Sequence, residues 1–131
     1  GAMGAGIAQV ALRAGHDVLL ADARPDAAPQ AAEGISRALA REVEKGRLAQ
    51  ADANAMVRRL SPVRGVEDLS PFGRCGLVIE AVVEDLGVKR DVFRRLEREV
   101  ADDAVLASNT SSLSIASIAG ACRRPGRVLG V

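Results

Sequence analysis

Apolar residues recur at two spacings along this chain, and the alternation predicts helices interleaved with short strands. Ile7, Val10 and Ala11 repeat at helical spacing, with Gly15 where a helix stop is expected. Val18-Leu19-Leu20 then forms a short apolar run suited to a buried parallel strand. Arg24-Pro25-Asp26 opens a second helix with the apolar stripe Ala28, Ala31, Ala32, Ile35, Leu39 and Val43, and Lys45-Gly46 ends it. Pro29 predicts an irregular first turn there. A further helix is expected over 51–60, with Arg58 and Arg59 facing solvent, and Pro62-Val63 reads as a poor, short strand near a sheet edge.

The second half repeats the alternation. Leu77 to Glu84 is an apolar run interrupted by Glu80, read as a strand buried on both faces that runs out into a loop. Glu84 or Asp85 can start the next helix, with the stripe Val88, Val92, Phe93, Leu96 and Val100. Its other face, Arg90, Arg94, Arg95, Glu97 and Arg98, reads as solvated and partly paired. Val105-Leu106-Ala107 delivers the polar run Ser108-Asn109-Thr110-Ser111-Ser112, which reads equally as a turn with a helix cap or as groups presented to a ligand. Leu113, Ile115 and Ile118 continue as a helix, and a last strand starts at Val128. Strands alternating with helices argue for an α/β fold with a doubly wound parallel sheet, in which ligands bind at the carboxyl ends of the strands.

The first residues fit that picture chemically. Gly1, Gly4 and Gly6 lack a Cβ, so the backbone can turn tightly and a phosphate can approach. The free N–H groups opening the helix, with its dipole, favour an anion. Asp22 ends the first apolar run at about the ~20-residue separation expected of a carboxylate that binds a ribose hydroxyl. This is most of a dinucleotide-binding fingerprint; the strand before the glycines and one earlier glycine are missing. Gly1-Ala2-Met3 reads either as the native glycine turn or as the scar of a cleaved tag.

Composition narrows the classes. The chain has 131 residues, 18 basic and 17 acidic, so no basic field points to nucleic acid or a membrane surface. Phe72 and Phe93 are the only aromatics, too few to stack single-stranded bases. No apolar run approaches a membrane span, and the expectation is of a protein without a signal peptide. Cys75 and Cys122 lie far apart with one histidine in the chain, which argues for reduced thiols in a cytoplasmic protein and against a metal site.

The strings Gly1-Ala-Met-Gly-Ala-Gly-Ile-Ala-Gln-Val, Ala14-Gly-His-Asp-Val, Val78-Ile-Glu-Ala-Val-Val-Glu-Asp-Leu, Val88-Lys89 and Ala107-Ser-Asn-Thr-Ser-Ser-Leu-Ser-Ile resemble the 3-hydroxyacyl-CoA dehydrogenases. The match is to their N-terminal NAD-binding Rossmann domain and spans 1–131, so the chain reads as one partial domain lacking its first strand and the C-terminal helical domain. The resemblance implies NAD as cofactor. It puts Gly1, Ala2, Met3 and Gly4 around the pyrophosphate, Asp22 on the adenosine ribose, and Glu84, Lys89 and Asn109 at the NAD site. Arg24 beside Asp22 is a basic group that could meet a 2′-phosphate. Asn109 and Ser111 fall beside the nicotinamide and the substrate's 3-oxygen, with Ser111 as hydrogen-bond partner of that oxygen. Lys45 matches a position associated with the CoA portion, while the family's serine on that helix is Ala38 here.

The implied reaction is oxidation of (3S)-3-hydroxyacyl-CoA to 3-ketoacyl-CoA, or the reverse, in fatty-acid or related acyl-CoA metabolism. The family's acid/base, a histidine paired with a glutamate, belongs just beyond Val131; His16 sits in a helix-to-strand turn and reads as a turn or capping residue. The 131-residue chain by itself is therefore expected to be inactive, and the whole protein to be a homodimer through its C-terminal domain. Another Rossmann enzyme, of the 6-phosphogluconate or hydroxyisobutyrate dehydrogenase type, is disfavoured by the Ser-Asn-Thr-Ser-Ser and Ile-Glu-Ala-Val-Val-Glu strings. A non-catalytic NAD-binding module of the same family, crystallin-like or a sensor, is the remaining alternative.

Overall fold

The computed structural model describes residues 1–131, which form two compact units, Gly1–Glu67 and Asp68–Val131. The first contains helix α1 (Ala2–Arg13), strand β1 (Val18–Ala21), helices α2 (Ala27–Glu44) and α3 (Gln50–Arg58), and strand β2 (Leu60–Val63). β1 and β2 pair in parallel, from Val18 opposite Leu60 to Ala21 opposite Val63. Their shared core is aliphatic: Ala8, Leu12, Ile35, Leu39, Ala53, Met56 and Leu60. Full burial of side chains such as Leu12 and Ile35 contributes about 1.5–3 kcal/mol each.

Both long helices of this unit stop at a glycine in the left-handed region, Gly15 at φ 92° and Gly46 at φ 70°. Each stop is a double cap. Gly15 N–H donates to Leu12 C=O and His16 N–H to Ala11 C=O; Gly46 and Arg47 repeat this with Val43 and Glu42. His16 thus serves the turn through its backbone.

The structure departs from the sequence pattern at several positions. The buried face of α1 is Ala8 and Leu12, one helical turn apart, while Val10 is 70% exposed. Gly4 and Gly6 lie inside α1 without a positive φ, so neither makes a turn. Pro29 is the third residue of α2, where no intrahelical N–H bond is made, so the first turn is regular. Arg59 does not face solvent: its guanidinium donates to Leu12 C=O at 3.0 Å, a cation at the carbonyl end of α1. β2 is longer than Pro62-Val63, since Leu60 and Ser61 also pair with β1.

The second unit contains β3 (Leu77–Glu80), α4 (Leu86–Glu99), β4 (Val105–Ser108), the one-turn helix α5 (Ile115–Ala119) and β5 (Val128–Gly130). The strands are parallel in the order β3-β4-β5, with Glu80 opposite Ser108 and Ser108 opposite Gly130. β3 stops at Glu80, because the Glu80 carboxylate turns back to accept the Val82 N–H at 2.6 Å. Leu77 is exposed, so β3 is not covered on both faces along its whole length. The buried residues of α4 are Lys89, Phe93 and Leu96, whereas Val88 points outward. Asp85 caps α4 by accepting Val88 N–H at 2.9 Å, and Ser114 caps α5 through Ser117 N–H. On the charged side of α4, Glu97 accepts the N–H groups of both Arg123 and Arg124, fixing the turn before β5. Leu113 lies outside α5.

The strands thus form an α/β arrangement of two parallel sheets, β1-β2 and β3-β4-β5. No helix is long and apolar enough to cross a membrane.

Candidate cofactor site

In the first unit, the start of α1 and the end of β1 meet. α1 has no side-chain cap, and its first internal bond runs from Ala5 N–H to Gly1 C=O, which leaves the N–H groups of Ala2, Met3 and Gly4 free of helix partners. A Cβ added at Gly1 or Gly4 would touch nothing within 4 Å. These glycines therefore answer to no packing demand in the chain; their effect is to keep the helix start open.

Asp22 follows β1 directly. Its Oδ1 accepts from the Arg24 N–H at 3.0 Å, with Arg24 Nε 3.6 Å away. The Arg24 N–H holds the carboxyl below its usual range; burial opposes this, and the Arg24 charge reinforces it. An ionised acceptor beside free helix N–H groups suits a nucleotide: phosphate on the amides, ribose hydroxyls on the carboxylate. Lys45 is the exposed residue closing α2, and it shares no hydrogen bond or ion pair with these groups.

In the second unit, the loops following β3 and β4 carry the remaining predicted residues. Glu84 accepts from the hydroxyls of Thr110 and Ser112, the latter at 2.9 Å, and lies 3.5 Å from Lys89 Nζ. The Thr110 hydroxyl is the main reason the Glu84 carboxyl is held below its ordinary value, with Ser112 and Lys89 acting the same way. Thr110 Oγ1 in turn accepts the Leu113 N–H at 3.1 Å, which turns the loop. Asn109 donates its N–H to Glu80 C=O at 2.8 Å, while its side-chain amide has no partner. Ser111 is exposed and its hydroxyl is likewise free. The polar run thus contains both structural and presented groups: Thr110 and Ser112 are tied down, Asn109 and Ser111 are not.

Lys89 is the surprise of this set. Its ammonium points inward, 2.6 Å from Glu80 Oε1, and the side chain is fully buried. Glu80, which the sequence reading placed at no site, and Ser108, the first residue of the polar run, complete this buried cluster through a 2.6 Å bond from Ser108 Oγ to Glu80 Oε2. A signal for them exists in the sequence. Glu80 interrupts an apolar strand, and Lys89 stands at the helical spacing of the buried Phe93, Leu96 and Val100.

Comparison with known proteins agrees with this chemistry. Residues 1–131 match the family described as the 3-hydroxyacyl-CoA dehydrogenase NAD-binding domain. A probable 3-hydroxybutyryl-CoA dehydrogenase of Bacillus subtilis is 37% identical over 131 residues, covering all of this chain and 45% of that protein. The human mitochondrial hydroxyacyl-coenzyme A dehydrogenase is 42% identical over 135 residues, covering all of this chain and 43% of the human protein. A crystal structure of a 3-hydroxybutyryl-CoA dehydrogenase from Escherichia coli K12 superposes with TM-score 0.93 at 40% identity, over 99% of this chain and 27% of that one. The chain therefore spans less than half the length of these relatives. With all its residues matched, the chain belongs to the 3-hydroxyacyl-CoA dehydrogenase family, as its NAD-binding domain.

Proposed function

We propose that the full-length protein carrying this chain interconverts (3S)-3-hydroxyacyl-CoA and 3-ketoacyl-CoA with NAD, and that residues 1–131 hold the cofactor and part of the substrate. The observation that carries this reading is the free pair Asn109 and Ser111, on a loop that follows a parallel strand and is otherwise anchored. Ligands bind at that end of such a sheet, and unpaired polar groups there are available to one.

In this reading the α1 amides of Ala2, Met3 and Gly4 take the pyrophosphate beside Gly1, and Asp22 takes the adenosine ribose. NAD supplies hydride transfer at C3 of the substrate. Glu84, with Lys89 behind it, lines the nicotinamide end, and Asn109 orients the groups that meet there. Ser111 hydrogen-bonds the 3-oxygen, which steadies that atom as its proton leaves or returns. The proton itself needs a base of matched pKa. None of the residues given a role here is a histidine, and His16 lies in the turn after α1; the acid/base is assigned to a part of the protein outside residues 1–131. Lys45 meets a phosphate of CoA as a point charge. A homodimer in the cytoplasm belongs to the same proposal.

The alternative reading is a module of the same family that binds NAD without chemistry. NADH oxidation with acetoacetyl-CoA, by the full-length protein and by residues 1–131 side by side, separates the two. Turnover by the full-length protein alone supports the dehydrogenase. NADH binding without turnover of any 3-ketoacyl-CoA transfers the reading to the binding module, and activity of residues 1–131 alone overturns the assignment of the base.

A further inference from the structure

We propose that Glu80 is a positioning residue for the dehydrogenase site, a buried clamp that sets both loops carrying Glu84 and Asn109–Ser112. The functional consequence rests on the reading that these loops hold the nicotinamide end.

Glu80 is the last residue of β3, with 4% of its surface exposed. Both oxygens of its carboxylate are committed. Oε1 accepts Lys89 Nζ and the Val82 N–H, each at 2.6 Å, and Oε2 accepts Ser108 Oγ at 2.6 Å. Its carbonyl takes the Asn109 N–H at 2.8 Å. One residue therefore grips α4, the first loop, the end of β4 and the start of the second loop.

From Lys89 the network runs on to Val82 C=O at 3.4 Å and Glu84 Oε2 at 3.5 Å, and from Glu84 to Thr110 and Ser112. The result is a closed ring with a regular feature. Ser108, Thr110 and Ser112 are each held by a carboxylate, Glu80 for the first and Glu84 for the other two. Asn109 and Ser111 alternate with them and stay free. The anchored residues fix the backbone, and the residues between them are presented in a set orientation.

A carboxylate, not merely a polar group, suits this position. Three donors converge on it, including an ammonium; a glutamine could keep its oxygen toward Lys89 and Val82 and donate its amide to the Ser108 hydroxyl, but it would remove the negative charge beside the buried ammonium. For stability alone, an apolar side chain in β3 would serve as well, because buried ion pairs seldom outdo apolar packing. What the charged cluster adds is a defined placement of the loops.

The test uses the full-length protein with two variants: Ser108→Ala, and the double variant Glu80→Gln/Lys89→Met, which leaves no unpaired buried charge and so protects against simple unfolding. Hydrogen exchange over 81–85 and 109–113 reads loop placement directly. NADH binding and the separate kcat and KM for acetoacetyl-CoA read its consequence. Ser108→Ala is expected to speed exchange over 109–113 at least tenfold. The double variant is expected to speed it over both loops while remaining folded. In both, kcat should fall about tenfold or more, with KM changed less than threefold, since a displacement of about 1 Å can cost ~100-fold in rate. A purely structural role would lower the melting temperature and leave kcat and loop exchange in the folded protein as in the wild type; that result overturns the proposal. If the wild type neither binds NADH nor turns over 3-ketoacyl-CoA, the dehydrogenase reading fails, and the exchange data still decide whether Glu80 clamps the loops.

Discussion

Lys89 reaches Glu80 from inside the second unit, Nζ to Oε1 at 2.6 Å, with side-chain exposures of 0% and 1%. Two charges removed from water in this way constrain one another: each is tolerable because the other is there. Lys89→Met alone therefore leaves Glu80 as an unpaired buried carboxylate. Breaking a buried pair from one side costs about 3–5 kcal/mol. Urea unfolding of the full-length protein followed by circular dichroism should show a loss of this size. A change below about 1 kcal/mol, the scale of an exposed pair, would contradict the buried pairing.

Gly4 and Gly46 should respond in opposite ways to alanine. Gly46 closes α2 at φ 70°, where a Cβ is strained, so Gly46→Ala should destabilise by about 1–2 kcal/mol. Gly4 is helical and nothing lies within 4 Å of an added Cβ, so Gly4→Ala should stabilise α1 by roughly 0.5–1 kcal/mol. If the open helix start receives the pyrophosphate, the same methyl group weakens NADH binding about tenfold or more. Melting temperature and an NADH titration on the same samples check both halves. Unchanged NADH affinity in Gly4→Ala would remove Gly4 from the cofactor site.

Asp22 carries the pH dependence of the first unit. Its carboxyl is held below the ordinary aspartate range, chiefly by the Arg24 N–H, so its contribution to stability is complete above the unfolded pKa and fades only as pH falls through the lower folded one. The carboxylate is therefore ionised throughout the neutral range, and NAD affinity should be flat from about pH 8 to pH 5 as far as Asp22 is concerned. Asp22→Asn removes the charge and keeps the shape. Hydrogen bonds to a charged group are worth about 1.5–3 kcal/mol, so NAD binding should weaken roughly tenfold to hundredfold. Calorimetric titration with NAD and NADP reads this, and the loss should be selective for NAD, because the variant no longer repels a 2′-phosphate beside Arg24. An equal loss for both cofactors would mean that Asp22 supports the fold and not the ribose.

Much of this was legible in the sequence wherever a local rule acts alone. Gly15 and Gly46 read as helix stops because the left-handed cap needs a glycine, and the structure shows the full double cap at each. Asp22 and the Ser108–Ser112 run read as strand-end groups because buried apolar runs precede them. The misses come where tertiary contacts decide. Val10 fits a helical stripe as well as Leu12 does, and only packing shows that Ala8 and Leu12 are the buried pair. Arg59 has the composition of a solvated residue and becomes a cap only because α3 ends beside the C-terminus of α1. Lys89 sits at a core position that periodicity alone would assign to an apolar residue, since its partner Glu80 is on a different element. Pairing across elements is invisible until the register of β3 with β4, and the packing of α4, are known.

In the proposed reaction the free Ser111 hydroxyl, on the loop after β4, meets the reacting oxygen of a 3-ketoacyl-CoA. The most direct test of this contact is steady-state NADH oxidation with acetoacetyl-CoA by the full-length protein and its Ser111→Ala variant, alongside an NADH titration of each. The account predicts turnover by the wild type, a fall in kcat of about tenfold or more in Ser111→Ala, corresponding to ~1.4 kcal/mol or more of transition-state stabilisation, and NADH affinity within about twofold. Wild-type turnover that Ser111→Ala leaves unchanged would contradict it.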